Sequence, residues 1–335
     1  MANITFTYGS GLNDSIFGKV QAPIASFLEK RGEAFEQASL IGEIFNKRKS
    51  THFGEKFGSM TGMDGFVPVG ELGSHPVDGM QESYSKLIEN ETWKDSFSIS
   101  REAIEDSQII DLKKKPEAFI AGYNRTREMF AAALLGGAVS LAKTAAFKGR
   151  SFDVTGADGL ALFAKEHPSK LNKGKQCNVF SDAFSTKALG AVETAMQNFK
   201  GDNGEILDIS PTTIIIPNDY ELKNLVFEAI GSDKDPSTSN NGFNYHYGRW
   251  NIIVHPYLNQ FLTDGVKPWI LLDKNANETY DGGVWLDRTA LEVKSTIDDD
   301  TDANVWRGYA RFTAGFNDWR PFAIGGIAGG TALLG

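Results

Sequence analysis

From Thr92 to Ser100 polar and apolar positions alternate strictly. Trp93, Phe97 and Ile99 face one way; Thr92, Lys94, Ser96, Ser98 and Ser100 face the other. That period of two predicts a half-buried strand. Ser100 can cap a short following helix, whose first turn carries Glu102, Glu105 and Asp106, charges that the helix dipole favours. The period then changes. Pro116 suits the first turn of a helix, and Phe119, Tyr123, Phe130, Leu134, Gly137, Leu141 and Ala145 form one stripe. A single helix there would run about 30 residues, roughly 45 Å; the alternative is a break at Gly136. Each of Gly136 and Gly137 costs about 1 kcal/mol relative to alanine. Beside Ala131, Ala132, Ala133 and Ala138, they predict close approach by another backbone.

Upstream, residues 16–48 read as helical, with Ile24, Leu28, Phe35, Leu40, Ile41, Ile44 and Phe45 at near-helical spacing. The pattern suits an arm packed on a larger body. Between Ser50 and Glu82 the apolar signal thins to Phe53, Phe57, Met60, Phe66 and Val69, separated by Gly54, Gly58, Gly62, Gly65, Gly70, Gly73 and Gly79. Short strands joined by turns fit best, as one long open hairpin; a plain surface loop is the alternative. Without a sustained apolar face this excursion needs a neighbour to cover it.

Downstream, residues 148–182 read as loop-rich and lead into an α/β pattern. Ser185 caps a helix striped by Leu189, Val192, Met196 and Phe199, and Asp202-Asn203-Gly204 makes a turn. Thr212–Ile216 is a short buried strand closed by Pro217. Asp219 caps a second helix carrying Leu222, Leu225, Val226 and Ile230. A mobile loop is expected at 231–243, and strands at Trp250–Val254 and Trp269–Leu272. The end of the chain is β-rich. Leu291–Ile297 and Val305–Phe316 flank the acidic turn Asp298–Asp302, with Trp306, Ala310, Phe312 and Phe316 on one face. Phe322–Leu334 reads as a buried strand and turn.

Composition narrows the function. The 335 residues suffice for two or three domains. A net charge of −9 opposes a nucleic-acid binder, which needs a basic face. One cysteine, Cys177, excludes an internal disulfide and fits a reducing cytosol. The N-terminal ten residues lack the basic flank and apolar core of a signal peptide, and no stretch is apolar enough to span a membrane. Candidate chemistry is scattered. None of His52, His75, His167, His246 and His255 has the spacing of a helical metal site. The acidic turn lacks the central glycine and distal glutamate of a calcium loop. A Cys177–His167 nucleophile and base can be drawn, but nothing local orients it. The expectation is therefore no catalytic residue, no cofactor and no metal.

The order of elements resembles the major capsid proteins of tailed bacteriophages, the Hong Kong 97-like fold. Ser98–Gln108 is similar to that family's strand-to-helix passage after its extended loop. Asp158–Pro168 resembles a segment of the Mu-type major head subunits. Ile206–Ser232, Asn251–Leu258 and Pro268–Asp273 resemble the apical domain core. The resemblance implies an α+β fold in six parts: an N-terminal arm (1–49), an extended β-hairpin loop (50–98), a peripheral domain with a long spine helix (99–182), an apical α/β domain (183–275), a return to peripheral β structure (276–320), and a C-terminal segment on the apical side (321–335). It implies an icosahedral shell of pentamers and hexamers, assembled in the bacterial host cytoplasm, with double-stranded DNA packaged nearby without specific binding. A portal protein is implied too. Only about 50 residues precede the extended loop, too few for a built-in scaffold, so a separate scaffolding protein is expected. The implied subunit interface involves Phe53, Phe57, Met60, Phe66, Val69, Trp93, Arg125 and Arg127. The alternatives are an encapsulin-like cargo shell with the same fold and, more distantly, a soluble hydrolase.

Overall fold

The structure, a computed structural model, describes residues 5–8, 32, 35, 37–60, 68–71, 74–75, 82–106, 114–171, 174–234 and 242–334. In chain order the elements are β1 (Thr5–Tyr8), α1 (Ile41–Ile44), β2 (Asn46–Lys49), β3 (Gly54–Met60), β4 (Glu82–Glu89), β5 (Glu91–Ile99), α2 (Arg101–Asp106) and α3 (Lys114–Val139). Next come β6 (Thr144–Phe147), β7 (Arg150–Asp153), β8 (His167–Pro168), β9 (Lys175–Gln176), α4 (Thr186–Gln197), β10 (Thr213–Pro217), α5 (Tyr220–Gly231) and β11 (Asn251–His255). A 3-10 turn (Leu258–Phe261), β12 (Trp269–Leu272), α6 (Lys274–Tyr280), β13 (Gly283–Ile297), β14 (Asn304–Phe316) and β15 (Phe322–Gly325) complete the chain.

Two sheets organise these elements. The first runs β1-β13-β14-β5, with β2 also on β13. β1 and β2 lie end to end along one edge of β13: Asn46–Lys49 align with Val284–Asp287, and Thr5–Tyr8 with Glu292–Ser295, both parallel. Irregular register around Thr289 separates the two halves. The second sheet runs β11-β10-β12-β15; only the β10–β11 pair is parallel. Ile214, Ile215 and Ile216 of β10 and Trp269–Leu272 of β12 are fully buried, as a short strand covered on both faces requires.

The spine helix α3 lies on the first sheet through an aromatic cluster. Phe312 stacks between Trp93 and Trp285, with centroids 5.0 and 5.3 Å away, and Phe130 of α3 meets both tryptophans and Phe312. Arg127, one turn earlier on α3, is buried with its guanidinium over Trp285 and Phe312, and donates through Nη2 to both oxygens of Asp287 at 3.2 Å.

The expected strands and caps are present; the hairpin expected over Ser50–Glu82 has its first strand there, at Gly54–Met60, but its second runs from Glu82 to Glu89, and residues 61–67, 72–73 and 76–81 lie outside the described residues. Ser185 Oγ accepts from Ala188 N, and Asp219 Oδ1 from Leu222 N. Four other expectations change. Helix α3 is unbroken at Gly136 but ends at Val139; Leu141 takes a positive φ, and Ala145 falls in β6. Asn46–Lys49 are strand, not helix, because they pair with β13; most of 16–40 lies outside the described residues. β13 begins eight residues before the expected Leu291 (291 − 283), its earlier half being held by β2 and β14. On α5 the buried stripe is Leu222, Val226, Ala229 and Ile230, while Leu225 is exposed. The segments β1 and α6 were not anticipated; they are too short to show a period.

The glycine expectation holds in detail. A Cβ on Gly136 would stand 2.5 Å from Phe261 Cβ and 2.8 Å from its carbonyl oxygen; one on Gly137 would stand 2.6 Å from Ala145 Cβ. Both neighbours include backbone or its first carbon, which cannot swing away. Gly136→Ala should therefore destabilise by about 1–3 kcal/mol despite its better helix propensity. Urea unfolding checks this; a variant as stable as the parent, or more so, would refute the close approach.

Candidate assembly surface

β3 and β4 form an antiparallel hairpin, Gly54 opposite Glu89 through Met60 opposite Glu82. Only Asn90 separates β4 from β5, so the hairpin continues the line of the first sheet. Its base is knotted by polar bonds. Asn90 Nδ2 donates to Ser50 Oγ (2.7 Å) and to the His52 carbonyl (3.0 Å). Glu55 Oε1 accepts from Thr51 N and Ser50 Oγ, and the Thr51 amide is the main cause holding this carboxyl below its ordinary range.

Two further features seat the hairpin on its own chain. A small apolar cluster joins Phe57 and Ile88 to Val284 and Leu286 of β13. A buried polar network holds Ser83, whose Oγ donates to Asp202 Oδ2 at 2.5 Å. Asp202 Oδ1 accepts from Arg320 Nη2 at 3.1 Å, and Arg320 Nη1 reaches Asp318 at 2.7 Å. Burial alone would lower the Arg320 pKa; the two aspartates outweigh it and raise it. Nearby, burial pulls the Lys86 ammonium below its usual range, partly offset by Asp153 at 3.0 Å.

The residues expected at a subunit interface divide sharply. Phe53 is 62% exposed and Val69 52%; both are free to meet a neighbour. Arg125 is exposed on α3. Phe57, Trp93 and Arg127 are engaged within their own chain, in the hairpin seat and the aromatic cluster. Met60 lies in β3, its side chain outside the described residues, as is the whole of Phe66. Sequence reading missed Leu87, which is 53% exposed between the buried Ser83 and Ile88 of β4, and the exposed Tyr220, Leu225, Phe227, Phe243, Tyr245 and Tyr247. The available signal was the excess of aromatic residues flanking α5, which exceeds what one helix face can bury.

The candidate nucleophile and base are not brought together. His167 is buried, with Nδ1 2.6 Å from Asp158 Oδ2 and Nε2 3.1 Å from Asn178 Oδ1, so both ring nitrogens are engaged. Cys177 Sγ instead meets the Val179 carbonyl and Thr331 Oγ1. Among the described residues no group of three or more acidic, histidine or cysteine side chains could hold a metal, and no helix is long and apolar enough to cross a membrane.

A spine helix on an elongated sheet, a second α/β sheet and a hairpin with exposed apolar side chains define a structural subunit built for association. The sequence matches the phage capsid protein family over residues 83–324, and the chain belongs to that family. No curated protein matches it. Among solved structures, a chain of Mycobacterium phage Patience is 12% identical, with 100% of this chain and 95% of that chain covered and a TM-score of 0.51. A chain from the capsid of bacteriophage JBD30, decorated with minor capsid protein trimers, is 15% identical, with 66% and 91% covered and a TM-score of 0.51. At these identities the likeness is one of fold, the Hong Kong 97-like capsid fold. The chain is thus a capsid subunit whose shell is built from copies of itself, and its place is the virion capsid.

Because the hairpin's apolar seat is only four side chains, Ile88→Ala should cost about 2–4 kcal/mol locally. Hydrogen exchange should show amides of β3 and β4 losing protection while those of β13 and β14 keep theirs. Equal loss in all four strands would mean that the hairpin is not a separate unit.

Proposed function

We propose that the chain is the major head subunit of a tailed phage, closing as pentamers and hexamers into an icosahedral shell around double-stranded DNA. The observation that carries this reading is the hairpin, which is exposed at Phe53, Val69 and Leu87 and held to its own chain by a small apolar seat. Laid over an adjacent subunit, it buries what it exposes here. In the same reading, residues 99–182 and 276–320 form the peripheral domain, and 183–275 with 321–335 the apical domain. Phe53, Met60, Phe66, Val69 and Arg125 touch neighbours directly. Phe57, Trp93 and Arg127 act from behind, by fixing the elements that carry the contacts. The resemblance of Asp158–Pro168 supports a Mu-type relative.

A separate scaffolding protein and a portal protein complete assembly in the host cytoplasm. The net charge of −9 fits a wall that lies near DNA without gripping it. A structural role without catalysis follows from this reading, and the two engaged nitrogens of His167 support it against a hydrolase using Cys177.

Electron microscopy of the purified protein tests the proposal. Closed shells or capsomer rings are expected, and a stable monomer at high concentration would overturn it. DNA or scaffold inside the particles supports a phage head, whereas a cargo enzyme would make the shell encapsulin-like. The double variant Phe53→Asp, Val69→Asp should leave the subunit's melting temperature unchanged but raise the concentration needed for assembly at least about tenfold, since about 1.4 kcal/mol of lost contact suffices. Unaltered assembly would remove the hairpin from the interface.

A further inference from the structure

The most unusual buried group of the chain lies away from the hairpin. His255, the last residue of β11, is fully buried, and neither of its ring nitrogens has a hydrogen-bond partner. Buried polar atoms are ordinarily hydrogen-bonded, so a histidine with neither ring nitrogen bonded to another protein group stands out. Its Nε2 lies 4.0 Å from Glu128 Oε2 on the spine helix, just beyond bonding distance. The other oxygen of that carboxylate is occupied. Glu128 Oε1 accepts from Ser39 Oγ at 2.6 Å and from the Leu40 amide at 3.2 Å, both at the end of the N-terminal arm. One carboxylate thus stands between the arm on one side and an unsatisfied imidazole on the other.

We propose that Glu128 and His255 form a proton-operated catch that holds the N-terminal arm on the spine helix and lets it go in acid. With no proton on the pair, Glu128 is charged and its bonds to Ser39 and Leu40 are charge-assisted, roughly twice as strong as neutral ones. The 4.0 Å gap fits a neutral ring with its hydrogen on Nδ1, so that Nε2 and Glu128 Oε2 are two acceptors facing each other, and one added proton closes the gap from either end. On Glu128 it makes an O–H that donates to Nε2; on His255 it makes an N–H that donates to the carboxylate. Either way the carboxyl group is drawn towards β11 and away from the arm, so the pair titrates as a unit. A cavity of about 230 Å³ adjoins Glu128 on the side of the arm, lined by Phe35, Ser39, Ile41, Asn124, Arg125 and Tyr257, so the arm is loosely packed where it meets the carboxylate.

The neighbouring charges set the range. Burial raises the Glu128 pKa, opposed by the Ser39 and Leu40 bonds and then by Arg127 on the same helix and Lys47 on β2. Arg127 is itself paired with Asp287 of β13. Burial lowers His255 to about 4. The Tyr257 ring is 6.3 Å from His255, and the Arg125 side chain lines the cavity beside Glu128. Burial thus raises the Glu128 pKa and lowers that of His255, which draws the two together so that one proton can serve both. For His255 alone, the unfolded chain binds the proton more readily, so stability falls as pH drops from about 6.5 towards about 4. Glu128, raised when folded, has the opposite sign, which leaves the arm rather than the whole fold as the responsive part.

The catch concerns the subunit itself and borrows from the capsid reading only its consequence, namely that arm contacts are remade as a shell changes state. Hydrogen exchange by mass spectrometry on the full chain, corrected for intrinsic rates, tests it between about pH 7 and about pH 5. Peptides covering residues 37–45 should lose protection about tenfold in acid while the second sheet stays protected. Glu128→Gln, a neutral acceptor, should exchange alike at both values; His255→Phe should keep the arm protected at the lower one. Ser39→Ala, which leaves the core intact, should loosen the arm at neutral pH and shrink the further loss in acid. Protection independent of pH in the parent, or an undiminished pH response in Glu128→Gln or Ser39→Ala, would overturn the catch. Shells that form around an arm insensitive to pH would sink this inference and leave the capsid reading intact; a responsive arm on a chain that never assembles would do the reverse.

Discussion

The stack of Trp93, Phe312 and Trp285, with Phe130 at its edge and the Arg127 guanidinium across it, is the contact on which the remaining architecture depends. It joins β5, β14, β13 and α3 at one point. Each aromatic pair adds about 0.5–1.5 kcal/mol beyond its buried area, and the preferred ring geometries fix angle as well as distance. Polar atoms close the cluster: Trp93 Nε1 donates to the Phe312 carbonyl, and Trp285 Nε1 shares Asp287 with Arg127. A buried arginine is stable here because its charge meets a carboxylate while its faces meet rings that are negative at their centres. Once α3 is fixed on the sheet, its far end is fixed too. There Gly136 and Gly137 admit Phe261 and Ala145, and so tie the helix to the chain leaving β11 and to the β6–β7 hairpin.

How much of this was readable in advance follows from where the information is local. The strand at Glu91–Ile99, the caps at Ser185 and Asp219 and the two small residues of α3 were legible because each rests on neighbours in sequence. The end of α3 was not. Leu141 and Ala145 continue the helical stripe although the helix stops at Val139, since the chain turns back at Leu141 and lays Ala145 on the same helix face. Ala145 is buried on that face although the helix itself has ended, whereas Leu141 is exposed. The same limit applies to the assembly surface. Phe53 and Trp93 are both large aromatics among polar neighbours; one is exposed on the hairpin and the other completes a stack with Phe312, more than 200 residues away, which no local pattern encodes. β1 and β2 are strands only because β13 offers them an edge.

The hairpin is attached in a different way from the rest. Its apolar seat is four side chains, whereas the main cluster runs continuously through both sheets. Its remaining ties are directional: Ser83 to Asp202, Lys86 to Asp153 and the Thr155 carbonyl, Asn90 to Ser50 and His52. Hydrogen bonds of this kind are worth about 0.5–1.5 kcal/mol each and break over short distances, while a packed core does not deform gradually. A projection held by such bonds can exchange them for equivalent bonds elsewhere without disturbing the sheet from which it extends. If Ser83 leaves, Arg320 keeps both carboxylates, while Asp202 Oδ2 loses its donor and is open to a new one.

Among the described residues, two groups of exposed apolar side chains are unlike each other. One lies on the hairpin, at Phe53, Val69 and Leu87; the other surrounds α5, at Tyr220, Leu225 and Phe227, with Phe243, Tyr245 and Tyr247 following it. A two-fold contact buries the same patch on both partners, so a chain that formed only a dimer would need one such surface. Head-to-tail association needs two surfaces of different character on each copy, and it generates closed rings when the rotation between copies closes. A subunit with an extended apolar edge and a separate aromatic face, carrying a net charge of −9 that opposes indiscriminate sticking, has the chemistry that ring-forming association requires.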